Sequence, residues 1–191
     1  MRFHKLTVCS LAVLVLSSSL AVSQTSQPQH DVPYVPTTEE AVKAMLKLAD
    51  VQKSDIVYDL GCGDGRIVIA AAKEYGAHGV GIDINPERIQ EAEANAKKAG
   101  VEKLVRFEEN DLFKANIHEA TVVTLFLLRS VNLKLRPKLL RDLKPGTRIV
   151  SNTFDMGDWK PEKEESLGDS GDDDTLSHQF FLWVVPERKE K

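Results

Sequence analysis

The residues with the clearest chemical potential fall in Ile56 to Val68, which reads IVYDLGCGDGRIV. A run rich in β-branched and aromatic types meets Asp59, then three alternating glycines, Gly61, Gly63 and Gly65, after which Arg66 to Ala72 reads as helix. Glycines lack Cβ and enter the positive φ angles that a tight strand-to-helix turn needs. Cys62, between two of them, reads as a small residue fitted to the turn. A helix starting near Asp64 would offer unpaired N–H groups and its positive end to a ligand lying against the turn.

Spacing narrows the ligand. The pattern is Asp-x-Gly-x-Gly-x-Gly, whereas a dinucleotide fingerprint is G-x-G-x-x-G with its third glycine one place later. Asp59 and Asp64 would repel a pyrophosphate and tolerate a cationic sulfonium with an amino-acid tail. The turn therefore favours S-adenosyl-L-methionine. Asp83 ends a second strand, 22 residues beyond Gly61, about where a doubly wound fold places the carboxylate that accepts both ribose hydroxyls. Its other reading is a helix cap, for which Asn85 followed by Pro86 is better suited. Asp111, at the end of a third strand, can accept from an adenine amino group while Leu112 or Phe113 covers the ring. It can equally cap a helix.

The elements that must position these residues follow in order. Met1 to Lys5 is basic, Leu6 to Leu16 is apolar, and Ala21-Val22-Ser23 supplies small residues, the three parts of a secretory signal peptide. Residues 1–23 are expected to be cleaved, with an uncleaved membrane anchor or a mitochondrial presequence as alternatives. Residues 24–32 form a Gln/Ser/Pro linker, and 33–191 a single domain. Pro33-Tyr34-Val35-Pro36 forces an extended entry, with Tyr34 either a staple for the next helix or a lid over the ligand. Thr37 with Glu40 forms a capping-box pattern ahead of a helix from Thr38 to about Ala49.

Beyond the glycine turn, strands are expected over His78–Ile84, Val105–Asn110, Thr121–Leu128, Arg148–Phe154 and Phe180–Val185, with a helix over Pro86–Lys98 and, after Arg129-Ser130-Val131-Asn132, a basic helix to Leu143. The first helix closes at Gly100. The apolar fourth strand suits burial in a parallel sheet. The order predicts an α/β, doubly wound sheet, mostly parallel with an antiparallel closing hairpin. Asp169 to Asp174 lacks the spacing of an EF-hand loop and reads as a solvated hairpin loop. With one cysteine outside the N-terminal stretch, no disulfide framework or zinc pattern arises, so no metal is expected. The formal charge of −4 becomes −6 if Arg2 and Lys5 depart with the first 23 residues, which disfavours general nucleic-acid binding. Membrane contact is expected only through an uncleaved N-terminus.

Together, Asp59-Leu60-Gly61-Cys62-Gly63-Asp64-Gly65, Asp83 and Asp111-Leu112 resemble the first motif, the ribose acid and the adenine pair of the seven-stranded class I S-adenosylmethionine-dependent methyltransferases. That resemblance implies a Rossmann-like seven-stranded fold and cofactor contacts at Asp59, Gly61, Cys62, Gly63, Gly65, Asp83, Ile84, Asp111 and Leu112. A narrower resemblance covers roughly Pro33 to Lys160 through Pro33-Tyr34-Val35-Pro36, Gly63-Asp64-Gly65-Arg66-Ile67-Val68, Asn85-Pro86, Ser151-x-x-Phe154 and Trp159. It is to the small mitochondrial lysine methyltransferases that modify the adenine nucleotide translocase and the ATP synthase c-subunit, and to their bacterial relatives. Arg129 departs from the proline found in relatives, and the fourth strand lacks the Asn/Asp-Pro-Pro-Tyr signature of enzymes acting on adenine or glutamine amides. The resemblance implies transfer of a methyl group to a protein lysine, with Tyr34, Asn152 and Asp155 as candidates for the acceptor mouth. His118 and His178 read as surface or edge residues. A small-molecule O- or N-methyltransferase and a non-catalytic cofactor-binding module are the rival readings.

Overall fold

A computed structural model describes residues 36–167 and 178–188. The signal-peptide and linker expectations, Tyr34, and the Asp169 to Asp174 loop lie outside the described residues. The chain enters at α1, Glu39–Leu48, capped by Thr38, whose Oγ1 accepts from the Ala41 N–H at 3.2 Å. The cap thus falls one residue after the expected Thr37, with Ala41 where a capping box would need a glutamate. Thr37 is buried instead, and its carbonyl accepts from Arg66 Nη1 at 2.6 Å. The helix buries Ala41, Val42, Met45, Leu46 and Leu48 against the sheet.

Strand β1, Ile56–Leu60, leads through the glycine turn into α2, Arg66–Ala70, which widens into a π-helical turn over Ala71–Tyr75. Strand β2, His78–Asp83, is followed by α3, Pro86–Ala99, with Asn85 as its side-chain cap and Gly100 in the left-handed conformation at its end. Strand β3, Val105–Glu109, and β4, Val122–Leu125, precede α4, Arg129–Asp142. Strand β5, Arg148–Asn152, is followed by β6, Lys163–Ser166, and β7, Gln179–Val184.

The sheet order is β3-β2-β1-β4-β5-β7-β6. The first five strands are parallel; β7 runs antiparallel between β5 and β6. Alternating side chains of the central strands feed two apolar layers. Val57, Val122 and Val150 face Met45, Leu46 and Val68, while Tyr58, Val123 and Ile149 face Leu135, Leu139 and Trp183. Burial on both faces is what the apolar fourth strand anticipated.

Two strand ends and one whole strand depart most from the sequence reading. β4 stops at Leu125, where its last rung to Ser151 is made, and Phe126 to Leu128 leave the sheet to start α4. β5 stops at Asn152 because Thr153 turns left-handed, with φ of +68°. β6 was not anticipated: its four residues are all exposed, so it carries no apolar alternation and exists through its pairing with β7. No helix among the described residues is long and apolar enough to cross a membrane.

Candidate active site

The order in which strands are added reverses between β1 and β4, and an open α/β sheet receives its ligand outside the carboxyl ends of the strands at such a switch point. Asp59, the glycine turn, Asp83, Asp111, Leu128 and Asn152 all stand at or just beyond that edge.

The turn is shaped by contact. Gly61 and Gly65 have φ of +85° and +79°. A Cβ on Gly65 would lie 2.7 Å from the Phe107 ring and 2.9 Å from Ala92, so its absence lets α2 sit close to α3 and β3. Several of the turn's N–H groups are engaged within the protein. Gly61 and Cys62 both donate to the Ile82 carbonyl, at 2.8 and 3.0 Å, and Gly65 donates to the Cys62 carbonyl at 2.9 Å. Gly63 donates to Asp83 Oδ2 at 2.9 Å, and the Arg66 N–H to Asp64 Oδ1 at 3.3 Å. The turn is therefore fastened to β2, and its service is to bring backbone close and to hold an acid. Cys62 is buried, and burial pushes its thiol far above the usual range, as suits a packed side chain.

Asp83 is fixed from both sides. Its Oδ1 accepts from the Asn85 N–H at 2.9 Å while Oδ2 holds Gly63. Each oxygen keeps another lone-pair direction for a diol. Asp59 is buried behind the turn, its Oδ1 accepting from Thr124 Oγ1 at 2.8 Å. Burial pushes its pKa up to about 7, opposed by the Thr124 hydrogen bond and assisted by the charges of Asp83 and Asp64. Asp64 itself is not available to a cation. Arg66 pairs with both its oxygens, at 2.9 and 2.6 Å, and holds the carboxyl below its ordinary value against the effect of burial. Asp111 Oδ1 accepts from the Phe113 N–H at 2.9 Å, so the acid caps its own turn, with Leu112 and Phe113 packed on the α4-side layer.

On the other side of the switch point, Asn152 is fully buried at the end of β5. Asp155 accepts from the Gly157 N–H and from Arg129 Nε, both at 2.9 Å. These two donors, the backbone one first, keep its carboxyl below the ordinary value. Asn132 on α4 ties this corner together, donating to Ser151 Oγ and to the Phe154 carbonyl, each at 3.1 Å. Sequence reasoning missed Asn132 and Thr153, and it left His178 at the margin although the ring lies 3.1 Å from Asn152 Oδ1. An Asn-Thr pair ending a buried strand, opposite a histidine opening the antiparallel one, is the signal that could have found them.

The residues present fit a cationic nucleoside. Asp83 offers a diol acceptor, Asp59 a buried acid behind the turn, and Ile84 and Leu128 are the two exposed large apolar side chains among the described residues, each 37% exposed and both at this edge.

The comparisons agree with that geometry. A family model described as the ANTKMT methyltransferase domain matches residues 59–163. A protein-lysine N-methyltransferase of Saccharolobus islandicus (strain REY15A) is 48% identical over 159 residues, 83% of this chain and 96% of that protein. An ATP synthase c-subunit lysine N-methyltransferase of Xenopus laevis is 37% identical over 69% of this chain, which spans 57% of that relative. Among solved structures, an RNA methyltransferase from Salinibacter ruber in complex with S-adenosyl-L-homocysteine superposes with a TM-score of 0.74 at 51% identity, covering 82% of this chain and 97% of that one. The chain therefore belongs to the ANTKMT methyltransferase domain family of S-adenosyl-L-methionine-dependent methyltransferases.

Proposed function

We propose that the methyl acceptor is the side-chain amine of a protein lysine. The observation that carries this reading is the 48% identity to a protein-lysine N-methyltransferase across 96% of that relative. The structural neighbour described as an RNA methyltransferase supports a second reading, RNA as acceptor. The acidic balance of the chain weighs against it, since phosphate contacts draw on clustered lysine and arginine.

When bound, S-adenosyl-L-methionine supplies a methyl group already activated on a sulfonium. Asp83 and the apolar Ile84 are placed to orient the nucleoside, and Asp59 to favour a cation near the turn. Gly61, Cys62, Gly63 and Gly65 give the close backbone approach, with Asp111 and Leu112 bordering the base. The protein's remaining task is alignment of an amine with that methyl group. A lysine ammonium must first lose its proton, and an apolar mouth favours the neutral form. Phe126 and Leu128, which follow β4 at this edge, are the apolar candidates for that mouth, with Asn152, Asp155 and Tyr34, the last outside the described residues, as its polar candidates. Asp155, kept ionised by the Gly157 N–H and Arg129, is unsuited to take the proton of the incoming ammonium. We also propose that residues 1–23 direct export, which amino-terminal sequencing of the expressed protein checks: a start at Gln24 supports it and a start at Met1 contradicts it.

The acceptor is tested by incubating the protein with labelled donor and a cell extract, then separating protein, RNA and small molecules. Label in protein, recovered as methyl-lysine on hydrolysis, is expected. Label confined to RNA would establish the second reading, and label confined to small molecules would exclude both.

A further inference from the structure

The corner after β5 is built under more constraint than a connection needs. Thr153 is β-branched and left-handed, a conformation that costs on the order of 1–3 kcal/mol. The Phe154 N–H donates to the Asn152 carbonyl at 2.8 Å, which closes a three-residue γ-turn of the rarer hand. The Thr153 N–H donates to the Gln179 carbonyl at 2.7 Å, and Thr153 Oγ1 to Asn152 Oδ1 at 3.0 Å. The strain thus fixes one object, the Asn152 side chain, against the start of β7. Asn152 Nδ2 is buried with no hydrogen-bond partner.

His178 is held from three directions. Asn152 pairs with Phe180 in the sheet, so residue 178 extends past the carboxyl end of β5, and its carbonyl accepts from the Leu167 N–H at 3.0 Å. The imidazole stacks on Phe180 with centroids 6.0 Å apart and planes 9° from parallel. Phe126, the first residue past β4, meets it edge-on at 6.4 Å. Its Nδ1 lies 3.1 Å from Asn152 Oδ1. With the Asn152 amide assigned Oδ1 toward the ring, Nδ1 carries the hydrogen and Nε2 keeps its lone pair. Burial lowers the ring's pKa, and it is the sole cause of the shift, so the imidazole is neutral in the neutral range. Of the other described histidines, His78 opens β2 at the opposite edge and His118 bonds the Asp142 carbonyl.

We propose that His178, oriented by Asn152, receives the acceptor amine at the methyl-donor edge: Nε2 accepts a hydrogen bond from an N–H of the neutral amine and turns the nitrogen lone pair toward the donor. No proton changes hands in this contact. The inference rests on the lysine reading for the identity of the amine.

Two measurements test it in the full chain. With histidine nitrogens labelled and S-adenosyl-L-homocysteine present, Nα-acetyl-lysine methylamide is titrated in. The His178 Nε2 resonance is expected at the position of an unprotonated nitrogen and to move, while those of His78 and His118 stay; Asn152→Ala removes the tautomer preference. In extract labelling, His178→Ala is expected to lower kcat/KM by about 10–100-fold through misplaced acceptor, with the Kd for S-adenosyl-L-homocysteine unchanged. His178→Gln restores much of the rate, because its amide oxygen can accept in the same place. A static Nε2 resonance, or full activity in His178→Ala, overturns the proposal. Protein left unlabelled by the wild type, with a moving Nε2 resonance, rejects the lysine reading and leaves the amine contact standing; labelled methyl-lysine with a static resonance rejects His178 alone.

Discussion

At the scale of single residues, Asp59 carries the sharpest pH consequence. Its carboxyl is raised from 3.8 to about 7 by burial, so it holds its proton more tightly in the folded chain than in the unfolded one. Its contribution to stability is fully present below about pH 4 and is lost as pH rises through about 7. Denaturant titrations of the ligand-free protein are expected to show that decline, and Asp59→Asn to flatten it. A cationic ligand near the turn reverses the preference, since it stabilises the ionised acid. The Kd for S-adenosyl-L-methionine therefore falls between pH 6 and pH 8, by up to about tenfold for each unit below the carboxyl's pKa, and calorimetry of Asp59→Asn should lose that slope. Gly65 makes a different kind of claim. An alanine there would keep a φ of +79° and drive its Cβ into Phe107 and Ala92. Gly65→Ala is expected to cost about 2 kcal/mol or more, read as a lowered denaturation midpoint with an unchanged slope. Asp59, the glycines and Asp83 were all legible in the chain because their types and spacing are chemical. Asp64 was misread as an acid facing the ligand, since its neutraliser, Arg66, looks in sequence like the ordinary first residue of a helix. That the Ile82 carbonyl lies within reach of the Gly61 and Cys62 N–H groups is revealed only by the fold.

Elements are held at the edge opposite the site by one guanidinium. Arg148, at the start of β5, donates to the carbonyls of Ala49 and Asp50, which end α1, at 2.7 and 2.8 Å, and also pairs with Asp55 just before β1. Asp55 is buried and in turn accepts from Thr121 Oγ1 at 2.7 Å, beside β4. Removing the arginine leaves a buried carboxylate with its charge uncompensated. Arg148→Ala is expected to destabilise the protein by about 3–5 kcal/mol while sparing cofactor affinity below the melting range, because the latch lies at the strands' amino ends. Loss of cofactor affinity in the folded variant would show that the two edges are coupled. The same scale explains what sequence periodicity found. Helices α1 and α3 announce themselves through caps and stripes, and the buried parallel strands through apolar runs. β6 has neither, for every residue from Lys163 to Ser166 is exposed and its order comes from the backbone of β7. The early ends of β4 and β5 were equally hidden. Phe126 and Phe154 continue the apolar pattern, but one leads into α4 and the other follows a γ-turn whose left-handed residue is a threonine, a type that gives no warning of it.

At the scale of the whole molecule, the reversal of strand order between β1 and β4 gathers residues from across the chain at one edge, so cofactor binding and global stability are linked. A ligand that binds only the folded state stabilises it by RT ln(1 + [L]/Kd), about 2.7 kcal/mol at a hundredfold excess over Kd. For a domain of this size each kcal/mol raises Tm by about 2–4 °C, so saturating S-adenosyl-L-homocysteine should raise it by about 5–10 °C. Asp83→Ala separates two contributions of the same carboxylate. Without ligand, the variant loses the acceptor that holds the Gly63 and Asn85 N–H groups and should melt somewhat lower than wild type. With ligand, the upward shift should largely vanish, since the diol acceptor has gone as well. An undiminished shift would mean that the ribose is held elsewhere, and the placement of the nucleoside along the β1, β2 and β3 ends would have to be abandoned. The reciprocal control is Arg148→Ala, which begins from a lower Tm yet should show the full ligand-induced rise. A lowered baseline with an intact shift in one variant, and a small baseline change with a lost shift in the other, would separate the edge that holds the sheet together from the edge that binds the methyl donor.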